Sequence, residues 1–405
     1  MSITNCNKRV YIRSFGCQMN DRDSEVIYGL FAERGWAQAP SPEEADCVLF
    51  NTCSVRAHSE QRAYSNMGAL ARLKRRRPHM VLGFIGCTAQ KDKDKVFKRL
   101  PHVDLATGPA YIYDICDCVE EILKKRSGLS PEKGRLGKGA KGGKKLLAAD
   151  RIERPDKVNP AYRLKDSRGY ISISEGCDNF CSYCIVPYVR GRQRSRRRGH
   201  ILDEVGKALQ SGISSITLLG QNVNSYGTDL EGDYGFLSLL RDIHAVEGIK
   251  MIRFVTCHPK DTNAGLFELM KELPKIHRHL HMPLQSGSDE VLKKMKRGYT
   301  VKEYLNLVKA LRNILPGSNL TTDIIVGFPG ESDRDFRATY DIMKDIAFDS
   351  AYIFKYSPRP PAESGRMDDD VPEEEKKRRN RILLELQKGI SAKNRGLNQK
   401  PLRMA

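Results

Sequence analysis

The chain has 405 residues, of which 40% are hydrophobic, and a formal net charge of +19. This length predicts two or three domains, each with enough apolar residues for a core. No apolar run approaches the ~18 residues of a membrane span, and the N-terminus lacks a secretion signal, so we expect a cytoplasmic protein. The eleven Cys therefore favour reduced thiols and metal binding over a disulfide framework.

The positive charge is concentrated in two runs. The first run has six arginines within nine residues: Arg190, Arg192, Arg194, Arg196, Arg197 and Arg198. The second consists of Arg72, Lys74, Arg75, Arg76 and Arg77. Such runs are typical of nucleic-acid-binding surfaces, because they complement the phosphate charge. From charge alone, a solvated surface is an equal alternative.

The first 125 residues repeat a strand–helix plan. Strands are predicted at 9–15, 47–51 and 80–85, with helices at about 23–34 and 59–75 between them. Each strand ends at a cysteine: Cys17, Cys53 and Cys87. Their spacings of 36 and 34 residues suit one β-α unit each, so residues 8–125 are predicted to form an open parallel α/β sheet.

These three cysteines are predicted to meet in space, because ligand sites in open α/β sheets lie beyond the carboxyl ends of the strands. The sequence therefore predicts a cluster site assembled from distant positions. The alternative is that each thiol packs as a small apolar group in the core. We interpret the five remaining isolated cysteines as structural: Cys6, Cys47, Cys116, Cys118 and Cys257.

Residues 126–165 differ in character from their flanks. They are rich in Gly and Lys and show no hydrophobic periodicity. This composition predicts a flexible basic linker between two domains, which acts as a spacer or as a tether that touches RNA.

A predicted strand at 170–174 leads into Cys177, Cys181 and Cys184. A four-iron cluster usually has four Cys ligands, so three thiolates leave one iron open for a substrate or cofactor. A structural zinc site needs four protein ligands, and no fourth Cys or His lies nearby. The pattern therefore favours an iron–sulfur site, with zinc or buried thiols as the alternatives.

From residue 166 to about 395 the chain alternates strand and helix. Strands are predicted at 170–174, 215–219, 251–256, 279–283, 321–326 and 351–356. Six such units indicate a curved, partial (β/α)6 barrel with its site at the carboxyl ends of the strands. This position places Tyr183, Gln221 and Asn222 near the open iron as candidate cofactor contacts.

The Cys triplet resembles that of the radical S-adenosylmethionine (SAM) enzymes, and further motifs narrow the resemblance to the methylthiotransferases. The motifs are SFGCQMN (14–20), NTCSVR (51–56), GCTAQ (86–90), GCDNFCSYCIVPYVRG (176–191), LLGQNVNSYG (218–227), HPKD (258–261), HMPLQSGSDEVLKKMKRGYT (281–300) and DIIVGFPGE (323–331). SFGCQMN and NTCSVR are most similar to the MiaB type, the tRNA-2-methylthio-N6-dimethylallyladenosine synthases. The similarity extends from about residue 8 to 387.

The resemblance implies two 4Fe–4S clusters. Cys177, Cys181 and Cys184 would hold the cluster that binds SAM, and Cys17, Cys53 and Cys87 an auxiliary cluster that carries sulfur. The substrate would be N6-isopentenyladenosine at position 37, in the anticodon loop of a tRNA. One SAM would supply the methyl group, and a second would yield the radical that takes hydrogen from C2 of the adenine, where the methylthio group would join. Further partners would be an electron donor such as flavodoxin or ferredoxin and a sulfur source.

The chain departs from the family pattern in two places. Arg359-Pro360-Pro361-Ala362 stands where the family has RPGT, and the C-terminal RNA-binding TRAM domain is expected to be absent. Two alternatives remain open. One is a methylthiotransferase that acts on threonylcarbamoyl-adenosine of tRNA or on a ribosomal protein Asp. The other is a non-catalytic, metal-dependent RNA-binding protein.

Overall fold

The computed structural model describes residues 8–55, 57–127, 145–157, 159–162, 164 and 169–398. The chain divides into two compact units. The first comprises residues 1–176, 186–192 and 196–213, and the second comprises residues 177–185, 193–195 and 214–405. Among the described residues, no helix is both long and apolar enough to cross a membrane.

The first unit is built on a six-stranded sheet in the order β2-β1-β3-β4-β5-β6, with every neighbouring pair parallel. The strands are β1 (Arg9–Phe15), β2 (Ala37–Gln38), β3 (Cys47–Thr52), β4 (Val81–Gly86), β5 (Leu105–Thr107) and β6 (Leu146–Ala148). All residues of β3 and β4 are buried, as expected for central strands of a parallel sheet that is covered on both faces. The predicted parallel α/β sheet is confirmed.

Helices connect these strands and bury the sheet between two apolar clusters. The helices of the unit are α1 (Gln18–Ala32), α2 (Ala57–Ala69), α3 (Ala71–Arg76), α4 (Cys87–Asp92), α5 (Lys95–Arg99), α6 (Ile115–Arg126), α7 (Val186–Arg190) and α8 (Arg198–Gln210). Two short strands, β7 (Tyr170–Ser172) and β8 (Ser174–Glu175), complete it.

The strand β6 lies inside 126–165, the range that the sequence assigned to the linker. Its three residues pair with β5 and so belong to the sheet. This part of the linker prediction is wrong, because a three-residue strand is too short to show a hydrophobic period. Residues 128–144, which carry most of the Gly and Lys, lie outside the described residues.

The division of the chain differs from the predicted boundary at residue 166. Strand β7 and helix α8, predicted as the start of the barrel, group with the first unit. A buried ion pair explains the position of α8: Glu204 on α8 lies 2.9 Å from Arg22 on α1, and both side chains are almost fully buried. Burial of two charges requires close pairing, so α8 is held firmly against α1.

The second unit contains the remaining strands of the predicted barrel. They are β9 (Arg194–Ser195), β10 (Ser215–Leu219), β11 (Met251–Phe254), β12 (His279–His281), β13 (Asn319–Val326) and β14 (Ser350–Lys355). Strand β10 pairs with β11, and β13 lies between β12 and β14, all in parallel. Helices alternate with them: α9 (Phe236–Ala245), α10 (Ala264–Glu272), α11 (Asp289–Lys294), α12 (Val301–Ile314), α13 (Asp333–Ile346) and α14 (Glu373–Asn398).

Local sequence fixes the starts of two of these helices. Thr300 and Glu303 form a reciprocal capping box at the start of α12, and Ser332 and Asp335 form another at the start of α13. Each box satisfies backbone N–H groups that the first helical turn leaves unpaired. The boxes thereby fix the start of α12, which follows α11, and the start of α13, which follows the loop after β13.

Candidate functional site

Three cysteines follow adjacent parallel strands of the first unit. Cys17 lies between β1 and α1, Cys53 follows β3, and Cys87 is the first residue of α4 after β4. The order β1-β3-β4 brings their carboxyl ends side by side. The interaction between the Cys17 and Cys53 thiols lowers the pKa of Cys17 to about 6 and raises the pKa of Cys53. The structure therefore brings these two together, with Cys87 at the neighbouring strand end.

Glycines allow the backbone to approach this closely. Gly16 has φ +148°, and a Cβ placed on it would lie 2.1 Å from the Cβ of Cys53. Gly86 has φ +92°, and its Cβ would lie 2.6 Å from the carbonyl oxygen of Thr52. Side chains at these positions would collide with the neighbouring strand end, so the glycines are needed for the thiols to meet.

A buried charge network lies beside these thiols. Arg190 is 3% exposed and donates a hydrogen bond of 2.9 Å from Nη2 to Asp23 Oδ2. Its Nη1 lies 3.7 Å from Glu175 and has no hydrogen-bond partner among the described residues. Burial raises the pKa of the Cys87 thiol, and the adjacent Arg190 guanidinium opposes this rise. A buried cation thus faces the strand-end cysteines, and Arg154 pairs with the same two carboxylates.

The burial of two arginines contradicts part of the predicted RNA contact at 190–198. Arg190 and Arg196 are buried, and Arg196 pairs with Glu204 at 2.7 Å. Neither guanidinium is accessible to an RNA phosphate. The others differ: Arg192, Arg197 and Arg198 are exposed, and the half-buried Arg194 has two terminal nitrogens without hydrogen-bond partners among the described residues.

The second unit presents Cys177, Cys181 and Cys184 on one loop. Cys177 and Cys181 are buried, Cys184 is half-buried, and the Cys184 N–H donates to the Cys181 carbonyl at 2.9 Å. Burial raises the pKa of Cys177 to about 11. The Arg297 guanidinium donates a hydrogen bond of 3.1 Å to the Cys181 sulfur. The thiols therefore share one short loop, and a cation contacts one of them.

Both cysteine triads fit an iron–sulfur cluster by their chemistry, because Cys thiolates are the usual ligands of such clusters. Within the described ranges, no three or more His, Cys, Asp or Glu side chains form a group that could hold a single metal ion. Cluster thiolates bind different irons, so they do not need to converge on one point. Auxiliary and SAM-binding roles for the two triads stay predictions.

The three predicted cofactor contacts have different surroundings. Tyr183 packs against an apolar cluster that includes Phe328 and Tyr356, and burial raises the pKa of its hydroxyl. The Asn222 amide is used within the protein: it donates to Asp261 at 2.7 Å and accepts from the His258 backbone at 3.2 Å. Gln221 is half-buried. The Asn222 amide therefore links neighbouring loops, and cofactor contacts by Tyr183 and Gln221 stay predictions.

Sequence reasoning quoted the HPKD motif but assigned no role to His258, which follows β11. Its Nδ1 accepts a hydrogen bond from the Lys260 backbone, so the proton of the neutral ring lies on Nε2. Burial lowers the pKa of His258 to about 2, which keeps the ring neutral. The Nε2–H is buried and has no hydrogen-bond partner in the described part of the chain. The HPKD motif at a strand end was the available signal for this free donor.

Sequence reasoning also missed one face of the sheet β12-β13-β14. Alternate residues of β13 are buried, and those between them, including Thr321 and Asp323, are half-exposed. The neighbouring strands add His281, which lies 3.5 Å from Asp323, and Tyr352, which is 55% exposed. Phe354, two residues along β14, is also exposed. This polar face with two exposed rings could have been read from the period of two in these strands.

Comparison with known proteins agrees with this arrangement. Residues 9–108 match the family described as Uncharacterized protein family UPF0004, and residues 171–343 match the Radical SAM superfamily. The superfamily match confirms the predicted cofactor class, SAM with an iron–sulfur cluster. Among solved structures, TsrM from Kitasatospora setae, a radical SAM methyltransferase, is similar with a TM-score of 0.65 and 16% identity, over 88% of this chain and 75% of that one. At this identity the likeness shows the fold, and it confirms the predicted fold class.

Curated relatives are more similar in sequence. A tRNA-2-methylthio-N(6)-dimethylallyladenosine synthase of Neisseria gonorrhoeae is 41% identical over 97% of this chain and 85% of its own length. The synthase of Carboxydothermus hydrogenoformans is 41% identical over 95% and 84% of the two chains. That of Clostridium novyi is 42% identical over 96% and 82%. The chain belongs to the tRNA-2-methylthio-N(6)-dimethylallyladenosine synthase family of radical SAM methylthiotransferases.

Proposed function

We propose that the chain adds a methylthio group to C2 of N6-isopentenyladenosine at position 37 of tRNA. The observation that carries this proposal is the 41% identity to synthases of this activity over 97% of the chain. The placement of both cysteine triads at strand ends supports it, because that is where parallel α/β folds build their sites.

The two triads have separate roles in this proposal. Cys177, Cys181 and Cys184 hold the 4Fe–4S cluster that binds SAM, and Cys17, Cys53 and Cys87 hold an auxiliary 4Fe–4S cluster. When bound, SAM supplies the 5′-deoxyadenosyl radical and the methyl group, and the auxiliary cluster supplies the sulfur. The protein itself binds and orients the reactants, since such cofactors carry the difficult chemistry.

The half-exposed face of β12-β13-β14 receives the nucleobase. Tyr352 and Phe354 lie on one side of β14 and offer two rings, and RNA-binding proteins use such rings to stack unpaired bases. Beside them, Asp323 and His281 offer an acceptor and a donor to the edges of a base. Removal of the target base from its stack costs about a few kcal/mol, least in a single-stranded loop, and stacking on these rings offsets that cost.

The tRNA backbone is held by the exposed members of the arginine run. Arg192, Arg197 and Arg198 are exposed, and Arg guanidinium groups bind phosphate through a fork of donors. Further partners are a one-electron donor, such as flavodoxin or ferredoxin, and a source of sulfur. The cytoplasm is the compartment in which tRNA and these partners meet.

The test is anaerobic reconstitution of the chain with iron and sulfide, followed by reaction with SAM, a reductant and tRNA that carries N6-isopentenyladenosine at position 37. Nucleoside mass spectrometry should show the 2-methylthio derivative. The same tRNA without the isopentenyl group is the control. Product on threonylcarbamoyl-adenosine or on a ribosomal protein instead would contradict the substrate. A colourless, zinc-loaded protein that binds tRNA but forms no product would contradict the proposed enzymatic activity.

A further inference from the structure

We propose that Arg297 is a positioning residue that supplies the buried positive charge opposite the SAM-binding cluster, through its hydrogen bond to Cys181. Its Nη1 donates to the Cys181 sulfur at 3.1 Å. The inference rests on the proposed function, because it takes Cys181 as a cluster ligand.

The Arg297 side chain is fixed on all sides. It is 4% exposed, and its Nη2 donates to the Pro283 carbonyl at 3.2 Å. Its Nε donates to the Tyr299 hydroxyl at 3.1 Å, and that hydroxyl donates in turn to the Leu284 carbonyl at 2.8 Å. Three guanidinium nitrogens therefore have three different partners, and only the bond from Nη1 ends on a sulfur.

Among the described residues, Arg297 is a buried arginine without an acidic partner, unlike Arg379 and Arg190. Arg379 lies 3.0 Å from Glu331, and Arg190 lies 2.9 Å from Asp23. In the described part of the chain, no Asp or Glu carboxylate lies within 4.0 Å of the Arg297 guanidinium. The His258 ring packs against Tyr299 with centroids 5.7 Å apart, and burial lowers its pKa, so it adds no charge there.

A buried charge needs a counter-charge, because transfer of an unpaired ion from water to the interior is very costly. The Cys181 sulfur is the hydrogen-bond partner of Arg297 that becomes anionic, as a thiolate ligand. The chain thus holds a buried cation within hydrogen-bond distance of a cluster ligand. A permanent charge at this place does not depend on pH, since Arg stays protonated.

The expected consequence is a raised reduction potential of the SAM-binding cluster. A bound cluster would take up one electron from the external donor, and the N–H···S bond and positive charge of Arg297 would stabilise the added negative charge. Hydrogen bonds to cluster sulfurs and local charge are among the means by which proteins set such potentials. Loss of Arg297 should therefore move the potential to a more negative value.

The test uses the chain in which Cys17, Cys53 and Cys87 are replaced by Ala, so that the signal comes from one cluster. In this background, Arg297→Met removes charge and donor, Arg297→Gln keeps a donor, and Arg297→Lys keeps both. Potentiometric titration monitored by electron paramagnetic resonance should give the most negative midpoint for Met, an intermediate one for Gln and a value near the parent for Lys. Tyr299→Phe, which retains the guanidinium, is the control and should shift the midpoint least.

Equal midpoints for the Lys and Gln variants would overturn the inference, and this comparison does not require the Met variant to fold. An unshifted midpoint in a Met variant that holds the parent's iron would also overturn it. Failure of the proposed function has a different signature: Cys181→Ala in the same background would then still bind four-iron clusters, whatever residue stands at 297.

Discussion

The buried position of Arg190 makes a prediction that separates stability from RNA binding. Arg190→Gln removes the cation that Asp23 and Glu175 face, and it leaves these carboxylates buried beside Arg154 alone. Removal of one partner from a buried ion pair costs about 3–5 kcal/mol. In a domain of about 150–250 residues each kcal/mol lowers Tm by about 2–4 °C, so the first unit should melt about 6–20 °C lower.

The matched control lies in the same arginine run. Arg197→Gln removes the same charge from an exposed side chain, and exposed substitutions usually change stability by less than about 0.5 kcal/mol. Scanning calorimetry measures both variants, and filter binding of tRNA across salt concentrations measures the phosphate contacts. Arg197→Gln should reduce the salt slope by about one. The reasoning is refuted if Arg190→Gln keeps its Tm and instead flattens the salt dependence of tRNA binding.

Three further predictions concern other parts of the chain. Tyr352→Leu should weaken tRNA binding by ~1–3 kcal/mol, the usual worth of a base–aromatic stack, in a fluorescence titration, whereas Tyr352→Phe should not. Gly16→Ala should cost about half of the bound iron in a colorimetric assay, because its Cβ would lie 2.1 Å from the Cβ of Cys53; full iron would contradict the auxiliary site. The Arg378 guanidinium lowers the pKa of Glu375 to about 2 from an ordinary 4.5. The contribution of the ionised Glu375 to stability is therefore present above pH 4.5 and lost as the pH falls towards 2. Glu375→Gln should remove this fall of Tm with pH.

The cysteine positions could be predicted from the sequence because they depend on local patterns. Three strand–helix repeats ending in Cys17, Cys53 and Cys87 require a parallel sheet, and a parallel sheet brings its strand ends to one edge. The Cys177 loop needed only the short spacing of its thiols. Each of these inferences depends on the order of the elements and on the spacing of the cysteines, and both can be read directly from the sequence.

The roles of the polar residues could not be predicted in the same way. Arg190 and Arg197 are alike in sequence, and only the fold buries the first against Asp23, 167 positions away. Asn222 was assigned to a cofactor because it follows a strand, but its amide binds Asp261 instead. Such pairings depend on which distant carboxylate the fold places beside the side chain. The charge pattern of one segment does not determine this.

The division of work between the two cysteine triads is the central claim, and product analysis of two triple variants tests it most directly. Liquid chromatography with mass spectrometry would quantify 5′-deoxyadenosine and methylthiolated tRNA from the same reaction. Replacement of Cys17, Cys53 and Cys87 by Ala should keep 5′-deoxyadenosine and abolish the methylthio product, whereas replacement of Cys177, Cys181 and Cys184 should abolish both. Methylthiolated tRNA from the first variant would contradict the account.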